Sequence, residues 1–363
     1  MFPARLRGSR TPTRRFAALA LPIAGAFLLA ACASGSSDVV GGAAKAADSP
    51  APAASSSADK VTLNLVAYSV PKAAFDLLIP AFQATDAGRN VEFASSYGPS
   101  GDQSRKVADG LATDVVNLSL EPDVTRLVDA GLVDSSWNSD QYKGIPSTSV
   151  VTLVVRKGNP KGIHDWDDIV KDGVEVVTPN PFSSGGAKWN LLAPYALKSN
   201  GGQDPQTGLD FVKQIVEHTK AQPKSAREAT ELFESGEGDV LLSYESEAIN
   251  NEKTSTDVEH IVPPSTFKIE TPFAIVTKGQ DAAHQAAAQA FRDFIFSDAG
   301  QRIWAQAGFR PVVDSVAGEF ASTFPTPEKL YTINDLGGWS SVNTQLFDPD
   351  NGTIAKIYDE LTK

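Results

Sequence analysis

Apolar positions in this chain fall into short runs of period two and longer runs of period near 3.6, and the two kinds alternate. Residues 61–66 read as a strand followed by a helical pattern over 72–84. The arrangement repeats with 91–94 before 103–111 and with 114–120 before 124–130. A strongly β-branched run at 149–155 opens a second set. In it, strand 174–178 precedes helix 187–199, helix 226–234 precedes strand 240–243, and a helix near 245–251 follows. Residues 282–296 read as an amphipathic helix and 301–307 as a shorter one. Such alternation predicts an α/β fold with mostly parallel strands. Two sets of similar size predict two lobes, with the chain crossing at 149–155 and 271–277. The expected division gives 60–148 and 275–363 to lobe one and 149–274 to lobe two. No repeat of solenoid period is present.

The first 59 residues follow another pattern. Arg5, Arg7, Arg10, Arg14 and Arg15 stand without an acidic partner before an apolar run at 16–31. That run is short, rich in small residues and ends on them, as a signal peptide over 1–31 does. It closes on Leu29-Ala30-Ala31-Cys32, which resembles the bacterial lipobox, where the cysteine is acylated and the chain is cut before it. The plainer reading leaves Cys32 as a small apolar residue in an uncleaved anchor. Thr13-Arg14-Arg15-Phe16 matches a twin-arginine signal only in part, and a basic leader accounts for it. Cys32 is the only cysteine, so its lipidation leaves none for a disulfide or thiolate metal site. Residues 32–59 are rich in Ala, Ser, Gly and Pro and read as a flexible tether. Loss of the leader's five arginines takes the formal charge from −12 to −17. An acidic surface argues against nucleic acid and against electrostatic docking on anionic lipid.

Ligands of open α/β sheets bind beyond the C-terminal ends of the strands, so the strand-to-helix loops are the place to look. The run Pro179-Asn180-Pro181-Phe182-Ser183-Ser184-Gly185-Gly186-Ala187-Lys188-Trp189 leaves one strand and opens a helix. Its serines offer hydroxyls, and adjacent glycines let a ligand approach uncovered backbone N–H groups. A first helical turn has unpaired N–H groups and partial positive charge, which together favour an anion. Alone, the run is equally well an N-cap serine before a glycine turn. Tyr97-Gly98-Pro99-Ser100-Gly101-Asp102-Gln103 repeats the chemistry in the other lobe. In Pro223-Lys224-Ser225-Ala226-Arg227-Glu228, Ser225 and Glu228 have capping-box spacing, and Ala226 falls in the first turn. Tyr244 follows the strand at 240–243, a position where tyrosine more often packs than binds.

His164, His218, His260 and His284 are scattered without metal-ligand spacing. A Gly-x-Ser-x-Gly elbow and a P-loop are both missing. Asp167 with Asp168, and Asp348 with Asp350, read as solvated loop acids. Nothing nominates a nucleophile with its base, and no cofactor or metal is expected.

Further stretches are Lys157-Gly158-Asn159-Pro160-Lys161-Gly162-Ile163-His164-Asp165-Trp166, Asp114-Val115-Val116-Asn117-Leu118, Gly238-Asp239-Val240-Leu241-Leu242 and Leu336-Gly337-Gly338-Trp339. With the Pro-Asn-Pro and Ser-Ser-Gly-Gly-Ala run, they resemble the sulfate-binding proteins of bacterial ABC importers. The resemblance implies a two-lobed, type II periplasmic-binding-protein-like fold with a hinge. It implies a non-enzymatic, monomeric receptor lipid-anchored on the outer face of the cytoplasmic membrane, delivering sulfate, or thiosulfate, to a transmembrane permease. Molybdate or phosphate are alternative cargoes, and a surface enzyme on sulfate or phosphate esters is the alternative from another class. The implied donors are the Ser184 hydroxyl, backbone N–H groups of Gly185, Gly186 and Ala226, Ser100, the backbone at Ser69, and Tyr244. Two departures stand out: Tyr68-Ser69-Val70 where the family often has Tyr-Asp-Pro, and Tyr244 where it often has Trp.

A site built only of donors suits sulfate, which near neutral pH offers only acceptors. Phosphate keeps a proton that such a site leaves unmatched, at a cost of about 1–3 kcal/mol. Asp102 is the side chain that could accept that proton if it faced the cleft. Its place after Gly101 suits an acid at a helix start instead.

Overall fold

The computed structural model describes residues 60–361. The signal peptide, lipidated Cys32 and tether expected from the sequence fall outside the described residues. The chain begins with β1 (Val61–Tyr68), α1 (Lys72–Gln83), β2 (Val91–Gly98), α2 (Ser100–Ala108), β3 (Val115–Asn117) and α3 (Glu121–Asp129). The second set is β4 (Ser147–Arg156), β5 (Val176–Val177), α4 (Gly185–Lys198), α5 (Pro205–Glu217), β6 (Thr219–Ala221), α6 (Ala226–Glu234), β7 (Val240–Tyr244), α7 (Glu245–Thr254), β8 (Val258–Ile261) and β9 (Ser265–Glu270). Then come β10 (Phe273–Ile275), α8 (Ala282–Phe296) and α9 (Asp298–Gln306). The chain closes with β11 (Arg310–Pro311), α10 (Asp314–Glu319), β12 (Lys329–Tyr331), α11 (Gly338–Val342) and α12 (Thr353–Leu361).

These strands build two sheets, one ordered β10-β3-β1-β2 and one ordered β12-β9-β4-β7-β5-β6, with β8 and β11 also on β4. In the first, β1 runs parallel to β2 from Val61↔Val91 to Tyr68↔Gly98, so both strands end side by side. Strand β3 is parallel to β1, while β10 closes the edge antiparallel. In the second, β5 is parallel to β6 and β7, whereas β4 is antiparallel to β7, β8, β9 and β11. This is the two-lobed α/β class that the alternation predicts.

Both faces of both sheets are covered, as period-two burial requires. In β1, Leu63, Leu65 and Ala67 join the main core with Phe75 of α1 and Phe291 of α8. Val66 points the other way, to Val107, Val124 and Leu127 of α2 and α3. In β7, Val240, Leu242 and Tyr244 face the core that holds Trp189 and Ile215, and Leu241 packs with Ala229 and Phe233 of α6.

One feature of the expected division differs. It assigns 275–363 to lobe one, yet β12 pairs parallel with β9 in the second sheet. Strand β11 likewise pairs with β4, and α12 packs on α5. From β12 onward the chain therefore packs with the second sheet, whereas α10 packs on α9. The physical reason is the free edge of β9, which β12 satisfies with backbone bonds.

Candidate anion-binding site

The parallel strands of both sheets end at one place. Tyr68 ends β1, Gly98 ends β2 and Asn117 ends β3 in one sheet, and Val177, Ala221 and Tyr244 end β5, β6 and β7 in the other. The loops beyond them enclose a small cavity of about 10 Å³ lined by Tyr68, Ser69, Gly98, Pro99, Ser100, Ser119, Ser184, Gly185, Gly186, Ser225 and Ala226. That is room for one small bound species and far below the roughly 300 Å³ of a drug-sized pocket. Among the described residues lining it, none carries a charge.

Helices point at this cavity. Ser100 is the first residue of α2, Gly185 of α4 and Ala226 of α6. First-turn N–H groups have no intrahelical acceptor, and each helix adds the positive end of its dipole. Ser184 is the N-cap of α4 in extended conformation, but its hydroxyl makes no capping bond. That hydroxyl is therefore free to serve a ligand. Ser225 caps α6 by accepting the Glu228 N–H at 3.1 Å, which leaves its own proton to donate. The other half of the expected capping box is not formed, because the Glu228 carboxylate accepts from the Lys224 N–H instead.

Glycine is required at the mouth of α4. A Cβ on Gly185 would lie 2.5 Å from Ser119 Oγ and 2.8 Å from Leu120 Cγ. On Gly186 it would lie 3.3 Å from Ala226 Cβ and 3.4 Å from Ser184 Oγ, within the donor ring itself. Across the mouth, a Cβ on Gly101 would stand 3.4 Å from the Ser183 carbonyl, so loops from the two sheets meet here.

Of the seven residues expected from the sequence, Ser69, Ser100, Ser184, Gly185, Gly186 and Ala226 line the one cavity. Two details differ from a simple donor list. The Ser100 hydroxyl donates to Asp123 Oδ2 at 2.6 Å and accepts the Ser119 N–H at 2.9 Å, so it has no proton left for a ligand. What Ser100 offers is its backbone N–H at the start of α2. Tyr244 stands behind the lining, fully buried, with its hydroxyl 2.7 Å from Ser119 Oγ. Burial pushes its phenol well above the usual range, so it stays protonated. Asp102 is outside the cavity and ion-paired with Arg105.

Ser119 and Ser225 line the site without having been expected there. Ser225 carries a readable signal, since it precedes Ala226 at a helix start. Ser119 carries none, because it follows a buried strand without a glycine or motif beside it. Lys188, in the first turns of α4, bonds Asn343 Oδ1 at 2.9 Å and faces away from the cavity lining. Burial lowers its pKa from 10.5 to about 8, opposed by Asp123 and assisted by Arg126. Among the described residues, no group of three or more His, Cys, Asp or Glu is placed to hold a metal ion.

Residues 63–310 match the family described as bacterial extracellular solute-binding protein. Over 307 residues, 83% of this chain and 87% of the relative, the sequence is 38% identical to the sulfate-binding protein of Synechococcus elongatus. It is 33% identical over 302 residues to the thiosulfate-binding protein of Pseudomonas aeruginosa, covering 81% of this chain and 91% of that one. Among solved structures, the sulfate-binding protein SubI from Mycobacterium tuberculosis is 57% identical, with a TM-score of 0.77. That likeness covers 79% of this chain and 100% of the other.

Proposed function

The chain belongs to the bacterial extracellular solute-binding proteins, on the branch of the sulfate-binding proteins, and we propose that it captures sulfate between its two sheets for an ABC permease. The observation that carries this reading is the convergence of three helix starts and several serines on one small cavity without a charged lining. The donors are the N–H groups at Ser69, Ser100, Gly185, Gly186 and Ala226, with the Ser184 hydroxyl. Each hydrogen bond to an ionised partner contributes about 1.5–3 kcal/mol. Together they must offset the desolvation of a dianion. Micromolar affinity needs only about −8 kcal/mol net, which a ring of this size can leave over.

Sulfate docks on one sheet's loops, and hinge closure completes its shell from the other. The closed form then docks on the permease. The protein acts as a monomeric receptor and not as an enzyme. Acylation of Cys32 holds it beside its permease, with 33–59 as the tether; the mass of the mature N-terminus tests this.

Calorimetry on the full chain in detergent tests the ligand. Sulfate is expected to bind with micromolar or better affinity, thiosulfate less predictably, and phosphate weakly because its proton meets only donors. Heat with phosphate or molybdate and none with sulfate would overturn the reading. Turnover of an aryl sulfate would favour the enzyme alternative.

A further inference from the structure

We propose that Ser119 is a direct ligand donor and that Tyr244 is a positioning residue acting through it, an inference that rests on the sulfate reading above. The argument is one of proton counting. Ser119 Oγ and Tyr244 Oη stand 2.7 Å apart, both buried, and either could donate. The pair has two protons and only one is used between them. Among the described residues, neither hydroxyl has another hydrogen-bond partner, so the second proton needs an acceptor elsewhere. Ser119 lines the cavity and Tyr244 does not. A phenol is also the stronger acid and the better donor of the two. The arrangement that leaves no proton stranded runs from Tyr244 O–H to Ser119 Oγ, and from Ser119 O–H to an oxygen of the anion. Each bond in such a chain polarises the next.

Ser119 is held for this task at every other polar atom. Its N–H donates to Ser100 Oγ at 2.9 Å, and Ser100 is in turn anchored by Asp123. Its carbonyl accepts Trp189 Nε1 at 3.0 Å. The side chain closes against Gly185, where a Cβ would collide with it. Ser119 follows β3 of the first sheet, while Trp189 and Tyr244 belong to elements of the second, so the donor is set by bonds across the mouth. The direct contact from Tyr244 that the resemblance implies is replaced by a relay of two hydroxyls.

A double-mutant cycle read by sulfate calorimetry tests the relay, with thermal melts of the sulfate-free protein as a second readout. The proteins are the full chain and its Ser119→Ala, Tyr244→Phe and doubly substituted forms. Ser119→Ala is expected to weaken sulfate binding about thirtyfold, within the range of a bond to an ionised partner. Tyr244→Phe is expected to weaken it less, and to add nothing once Ser119 is Ala. Because Ser119→Ala keeps both backbone bonds, its sulfate-free melting midpoint should stay near that of the parent. Unchanged affinity in Ser119→Ala overturns the donor role. A further loss on adding Tyr244→Phe to Ser119→Ala overturns the relay and returns Tyr244 to direct contact. A melting midpoint that falls in step with affinity makes the pair structural and overturns both roles. Failure of the parent chain to bind sulfate is a different result, since it removes the functional reading itself.

Discussion

Two adjacent glycines at the start of α4 meet opposite constraints, although the sequence presents them as a pair. Gly185 is closed in by Ser119 and Leu120 at under 3 Å, whereas the nearest neighbours of a Cβ on Gly186 stand at 3.3–3.5 Å. Gly185→Ala should therefore cost stability, about 1–3 kcal/mol of overpacking, visible as a lowered melting midpoint without ligand. Gly186→Val should instead abolish sulfate binding by filling the donor ring, with calorimetry as the check. Ser184→Ala removes an uncommitted hydroxyl and should weaken sulfate by roughly 1–3 kcal/mol. Both glycines and Ser184 were legible because they sit in a run where a helix start and backbone access coincide. Ser119 was not, because its role depends on a hydroxyl 125 residues away in the chain. Ser100 was expected as a donor; it lines the cavity, and the commitment of its hydroxyl to Asp123 is a tertiary fact that no local pattern carries.

Helix starts are the working units of the site, and α6 offers a clean separation of cap from ligand chemistry. Ser225→Asp keeps an acceptor for the Glu228 N–H, so α6 should stay capped. It also puts a carboxylate on the wall of an anion cavity, so sulfate binding should be lost while the melting midpoint holds. In α4, Lys188 gives a pH signature. Its pKa falls from 10.5 to about 8 on folding. Between those values the unfolded chain binds more protons than the folded one, so this group makes stability rise with pH from about 8 to 10.5. Below pH 8 both states are protonated and its penalty is constant. Lys188→Met should remove that part of the slope in denaturant titrations at pH 7.5 and 10. At this scale the hydrophobic pattern was most informative, with 226–234 and 282–296 matching α6 and α8 end to end. Strand β5 is shorter than its apolar run because the Val174 N–H turns back to the Lys171 carbonyl and the ladder is irregular at Val176 and Val177. Helix α5 carried readable signals, Asp204 as N-cap and Pro205 in the first turn, yet its residues stood outside the strand–helix alternation that guided the reading.

The whole chain carries a formal charge of −12 while its cavity is lined by neutral groups. Long-range attraction should therefore contribute nothing to capture. The association rate for sulfate is expected to stay level or rise between low and physiological salt, and stopped-flow measurement checks it. A steep fall with salt would point to local cations guiding the anion. Alternation of elements sufficed for the fold class, but not for the path of the chain after residue 308, where β11 and β12 are too short to leave a pattern. That path has a consequence for how the molecule comes into being. The first sheet lacks its β10 edge until residue 275 is available, and the second lacks β12 until residue 331. Synthesis delivers the N-terminal part first, so the loops at 98–101 and 183–186 emerge long before the strands that brace their sheets. Contacts this distant in sequence form slowly. Competence to hold an anion is thus expected to come late in synthesis, after the edge strand at 273–275 has become available to the first sheet.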